Sequence, residues 1–172
     1  MKVARDRGAT LLAIPIPLRR VHMMKRWLAP IFLLLTGCVS AAPGSKAPAV
    51  VLHGQRFSAE FAADEPSREH GLMMRTTLAP DHSMLFVFSY TAPQAFWMKN
   101  TLIPLDILYF DTDRRLVSMQ LDVPPCKADP CPVYPSDAPA RYVLELSAGT
   151  ARRIGAKAGD ELRIEGDIGP VR

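Results

Sequence analysis

The sequence predicts a mainly β protein, a compact sandwich-like or barrel-like single domain with one or two short helices. Three observations carry this. From Ala49 onward, short apolar runs are separated by turn residues, the pattern of a chain built from strands. Several runs alternate apolar and polar residues with the period of two that lays one strand face on a core. About eight such runs and two short helical segments fit into roughly 120 residues, the density of a sandwich or small barrel.

Each element has its own local reason. Residues 49–52 (AVVL) and 56–61 (RFSAEF) form a hairpin across His53-Gly54. In the second run Phe57, Ala59 and Phe61 share one face, and Ser58 and Glu60 take the other. A helix follows in DEPSREHG: Asp64 caps it, Pro66 suits its first turn and Gly71 its end. Residues 84–88 (MLFVF) are continuously apolar, as in a strand covered on both faces. Residues 96–99 (FWMK) make a short strand. Residues 104–110 and 116–120 form a second hairpin across DTDRR. Residues 142–146 (YVLEL) alternate as a half-buried strand does. Residues 148–154 read as a short helix ending at Gly155, and Gly159-Asp160 turns the chain into a last strand, ELRIE.

The chain of 172 residues holds one domain with additions at its start. In residues 23–38, MMKRWLAPIFLLLTGC, Lys25 and Arg26 precede an apolar run from Trp27 to Leu35. That run is shorter than the roughly 20 residues of a membrane-spanning helix and has the size of a signal-peptide core. Leu35-Thr36-Gly37-Cys38 resembles the bacterial lipobox, in which the cysteine thiol is lipidated and becomes the mature N-terminus. Residues 1–38 are therefore expected to be a signal peptide with Cys38 as the lipidation site. Residues 1–22 are either a long leading segment or an extension upstream of the real start. Residues 39–48, VSAAPGSKAP, read as a flexible tether, and residues 49–172 as the domain. The expected destination is a bacterial cell envelope, with the protein held to a membrane by its lipid anchor.

Charge supports the division. The full chain carries 21 Lys+Arg against 17 Asp+Glu, but residues 1–38 hold seven of the former and one of the latter. The remainder has 14 basic and 16 acidic residues, which leaves no basic excess to favour nucleic acid. Cys126 and Cys131, in PPCKADPCPVYP, form a disulfide in an exported chain. A metal site would call for more Cys or His nearby, and no metal or cofactor is expected.

The stretch FWMKNTLIPLDILYF holds the candidate site. Asp106 stands in an otherwise apolar strand, and a buried carboxylate needs a partner. Either Asp106 accepts hydrogen bonds from the Lys99-Asn100-Thr101 bend and fixes it, or Lys99, Asn100 and Asp106 line a cleft with Trp97 as a wall. Met73 and Arg75 complete the expected cleft, and Arg75 with Lys99 offers a clamp for an anionic group. Two further chemistries compete. Asp106 with Glu145 makes a candidate acid–base pair for hydrolysis of an envelope polymer. The methionines at 73, 74, 84, 98 and 119, with His70 and His82 nearby, are soft enough for Cu(I), although methionines also fill irregular cores.

The motifs taken together resemble the domain-of-unknown-function family 192. The matching pieces are Gly71-Leu72-Met73 with Arg75, Met84-Leu85-Phe86-Val87-Phe88, and Phe96-Trp97-Met98-Lys99-Asn100-Thr101. Ile103-Pro104-Leu105-Asp106, Val143-Leu144-Glu145-Leu146 with Gly149, and Gly159-Asp160 complete them. Two departures are Ser83, where the family commonly has Gly, and a longer Cys126–Cys131 loop. The resemblance implies a β-rich sandwich-like fold and frequent export, and it implies no activity. The expected function is a non-enzymatic binding or interaction module whose partner is a small molecule or an envelope protein.

Overall fold

The computed structural model describes residues 47–172. The lipobox, with Cys38, and nearly all of the tether lie outside the described residues. The order is β1 (Ala49–Leu52), β2 (Gln55–Ala62), α1 (Glu65–His70), β3 (His82–Ala92) and β4 (Ala95–Trp97). Then come β5 (Leu105–Phe110), β6 (Leu116–Val123), β7 (Val133–Pro135), β8 (Ala140–Ser147), α2 (Thr150–Ile154) and β9 (Arg163–Glu165). Seven strands make one mixed sheet in the order β6-β5-β8-β3-β2-β1-β9, and β4 pairs with β7 in a separate ribbon. The domain is mainly β, as expected, but its large sheet stays open rather than closing into a barrel.

Local chemistry explains most elements. The β1–β2 turn places His53 at φ 47° and Gly54 at φ 78°, the double positive φ that a two-residue hairpin favours. Asp64 Oδ1 accepts the Ser67 N–H at 2.9 Å, and Ser67 Oγ in turn receives the Asp64 N–H, so the start of α1 is capped reciprocally. Gly71 ends that helix at φ 49°, and a Cβ there would sit 3.1 Å from the Phe86 ring. Only glycine meets both conditions. β2 and β3 run parallel, because α1 and its following loop carry the chain back across the sheet.

The sheet is covered on both faces. One core joins Val50, Phe57, Leu85, Leu108, Phe110 and Leu144 to Ala151 of α2 and to Leu162. The other joins Met84, Phe86, Leu105, Ile107, Tyr109 and Val143 to Leu72 and Met98. On this second face lie α1 and the β4–β7 ribbon. Phe96 packs edge-on to Phe86 at 4.9 Å and to Tyr109 at 6.0 Å. Tyr109 Oη donates to the Tyr134 carbonyl at 2.6 Å, and Gln120 Nε2 donates to the Pro135 carbonyl at 2.9 Å. The ribbon is thus fastened toward β5 and β6, while α1 sits over β2 and β3.

Candidate functional site

Between α1 and the ribbon an open groove of about 900 Å³ remains. One wall is α1, with Glu65, Arg68 and Glu69, and the other is the run Gln94–Trp97. Phe88, Ser89 and Tyr90, from the end of β3, form the floor. Trp97 is 51% exposed and Tyr90 64%, large fractions for side chains that usually sit mostly covered. Phe96 is anchored in the core below. The Arg68 guanidinium lies 5.3 Å over the Phe88 ring and donates to the Val87 and Arg172 carbonyls at 3.1 and 2.6 Å, so it is committed to holding the wall.

The expected cleft residues divide. Met73 and Trp97 line the groove. Asn100 lies next to it: its Nδ2 approaches Met73 Sδ at 3.9 Å and its carbonyl accepts the Met74 N–H at 2.8 Å. Lys99 stands 5.6 Å over the Trp97 ring and 3.5 Å from Asp129 Oδ2. Arg75 lies apart, forked onto Glu60 at 2.5 and 2.6 Å, and His82 Nε2 reaches the same carboxylate at 2.8 Å. The Arg75 hydrogen bonds are the chief reason the Glu60 carboxyl is held below its ordinary value; partial burial opposes them and His82 adds to them. With Arg75 so occupied, an Arg75–Lys99 anion clamp is not assembled.

Asp106 is on the other side of the sheet. Leu105, Ile107 and Tyr109 face the ribbon, so Asp106 faces α2 with Leu108 and Phe110. It is fully buried. Its Oδ1 accepts the Asp122 N–H at 2.9 Å and its Oδ2 the Ala151 N–H at 2.8 Å. Gly149 precedes α2 and has no side chain to cap it, so the carboxylate of a neighbouring strand caps the helix instead. The partners are therefore these two amides, not the Lys99-Asn100-Thr101 bend.

Glu145 shares the groove side of the sheet, with Ile107 and Met84 as its lateral neighbours. Among the described residues its Oε2 has no hydrogen-bond partner, and burial pushes its pKa up to about 8. Because Asp106 and Glu145 occupy opposite faces, the sheet lies between them. They do not form the facing carboxylate pair that glycoside hydrolysis uses. The copper candidates are also dispersed: Met84 is buried in the core, His82 is held by Ser58 and Glu60, and only His70 and Met73 reach the groove.

Cys126 and Cys131 are joined, with sulfurs 2.09 Å apart. Their loop lies beside the end of β4 and leads into β7. Cys126 N–H donates to the Met98 carbonyl at 3.4 Å, and β7 begins two residues after Cys131. The residues that sequence reasoning missed are the floor and the helical wall: Phe88, Tyr90, Glu65 and Glu69. The one available signal was the spacing of Glu65 and Glu69, four apart and hence on one side of the helix.

Comparison with known proteins agrees with the overall fold. The family model DUF192, described as Uncharacterized ACR, COG1430, matches residues 49–164. A crystal structure of a protein of unknown function from Novosphingobium aromaticivorans is 32% identical, with a TM-score of 0.62, over 67% of this chain and 83% of that one. A crystal structure from Sinorhizobium meliloti, provisionally described as a transcription regulator, is 41% identical, with a TM-score of 0.60, over 70% of this chain and 95% of that one. No curated protein matches the chain. With its motifs, its sheet and two solved relatives in accord, the chain belongs to the DUF192 family.

Proposed function

We propose that this protein is a non-enzymatic binding module of the cell envelope, tethered to a membrane through Cys38, and that its ligand lies in the groove between α1 and β4. The observation that carries the reading is the half-exposed Trp97 standing over that groove of about 900 Å³. A concave site with an aromatic wall and a few polar groups is the usual form of a ligand site. Trp97 presents a large apolar surface at little entropic cost. Asp106, the carboxylate that a hydrolase reading would rely on, already has both oxygens engaged with backbone amides, which argues for a structural role.

Site-specific photocrosslinking in intact cells tests the groove. A photoreactive residue at Tyr90 is expected to give a defined adduct, and one at Asp113, in the exposed β5–β6 turn, is expected to give none. Equal labelling from both positions, or none from either, contradicts the reading. Fractionation tests the tether: Cys38→Ala should leave the membrane fraction or remain unprocessed, and normal processing and partitioning of that variant would sink the lipoprotein assignment.

The Sinorhizobium relative's provisional description as a transcription regulator does not carry over well to this chain. Beyond Cys38 acidic residues outnumber basic ones, 16 to 14, whereas DNA binding rests on a basic surface.

A further inference from the structure

The groove is bordered by the edge of a strand, not by its face. Four successive residues, Gln94 to Trp97, line it, and no residue of β7 does. Side chains of a strand alternate between faces, so an unbroken run along a groove means that the backbone itself forms the rim. Among the described strands β4 is hydrogen-bonded to β7 alone. The phase of that ladder is set at its start, where the Ser136 N–H donates to the Gln94 carbonyl at 2.8 Å and the Gln94 N–H donates to Ser136 Oγ at 3.0 Å. In an antiparallel pair alternate residues turn their backbone groups toward the partner. Phe96, opposite Tyr134, therefore faces β7, and Ala95 and Trp97 direct their N–H and C=O groups the other way, toward α1. Among the described residues no turn, loop or side-chain hydrogen bond takes up those groups.

An open strand edge beside a groove is the site that extended peptides use when they add a strand to a sheet. The surroundings favour one chemistry of peptide. Phe88 and Trp97 offer apolar contacts to every second side chain. Across the groove, Glu65 and Glu69 stand one turn apart on α1, both exposed, and among the described residues neither is ion-paired. Arg68 between them is held by backbone carbonyls, while His70 and Arg172 complete the polar lining.

We propose that the ligand of this groove is an extended peptide segment, alternating apolar and basic residues, that pairs with the free edge of β4 as a third strand of the ribbon. This rests on the binding-module reading and adds the class of ligand and the mode of contact.

The test uses a capped hexapeptide alternating valine and lysine, titrated calorimetrically into the detergent-extracted full-length protein. Two further versions carry N-methyl groups on the valine amides or on the lysine amides. Only one parity of amide faces β4, so one version should bind about tenfold more weakly and the other within about twofold of the parent. Ala95→Pro removes one outward N–H and leaves the β4–β7 ladder intact, as an edge strand allows. It should weaken the unmodified peptide by about tenfold without lowering the melting temperature. Binding that is indifferent to both methylation patterns and to Ala95→Pro overturns strand addition while leaving the groove as a ligand site. Absence of binding by the parent peptide, with a Tyr90 crosslink still formed, overturns the peptide class. Absence of both overturns the binding-module reading itself.

Discussion

Asp106 and Glu145 lie on adjacent strands, β5 and β8, yet in opposite cores and with opposite hydrogen bonding. Asp106 has each carboxylate oxygen on a backbone amide. Asp106→Asn would turn an amide N–H toward one of those donors, so it should cost about 1–3 kcal/mol of stability. A urea titration should show this, with groove binding unchanged; lost binding at unchanged stability would place Asp106 in the site instead. Glu145 is the reverse case, buried with Oε2 unpartnered and its pKa raised from 4.5 to about 8. A carboxyl that holds its proton more tightly when folded contributes stability at low pH, and that contribution is lost as pH rises from the unfolded value toward the folded one. Between about pH 4.5 and 8 the protein should lose up to about 1.4 kcal/mol per pH unit through this group. Glu60, held low by Arg75, acts in the opposite direction and at more acid pH. Glu145→Gln should flatten the profile between pH 5 and 8; an unchanged slope would show that another group is responsible. Asp106 was legible in the sequence as a buried carboxylate in need of partners. Which partners was not, because both amides come from segments distant in the chain.

At the scale of elements, the ribbon β4–β7 decides the shape of the groove. Its two strands are three residues each and are fastened by Phe96, Tyr134 and the Cys126–Cys131 loop. The disulfide closes a short loop, so it adds less to global stability than a long-loop bridge would, about 2 kcal/mol, and its structural effect should be local. Cys126→Ser combined with Cys131→Ser should lower the melting temperature by several degrees, speed amide exchange at Phe96 and Tyr134, and weaken peptide binding. Unchanged exchange in the ribbon would mean that its side-chain anchors suffice. The strands with clear periodicity were readable in advance, as were both helices through Asp64, Gly71 and Gly155. β7 was not: Val133-Tyr134-Pro135 is short, ends in proline and has no alternation to reveal it, and its pairing with β4 is fixed by tertiary contact. The floor of the groove was hidden for a related reason: Phe88 read as the end of a core strand, whereas β3 continues past it to Ala92.

For the whole molecule, the open sheet with one core on each face explains how a small domain keeps an aromatic groove without a second sheet. One face is closed by α2 and the chain's end. The other is only partly closed by α1 and the ribbon, and the gap between them is the proposed site. Mainly β structure and family membership could be read from strand patterning and from the Phe96–Thr101 motif. The groove itself required knowing that α1 and β4, 30 residues apart in the chain at Glu65 and Ala95, stand opposite each other on one face of the sheet. Native mass spectrometry of the full-length protein purified from its own cells, alongside its Trp97→Ala variant, shows directly whether the groove holds a ligand. A bound mass on the parent chain that is lost from the variant is the predicted result. A bare mass for both, or the same bound mass on each, would contradict the assignment of the α1–β4 groove as the ligand site.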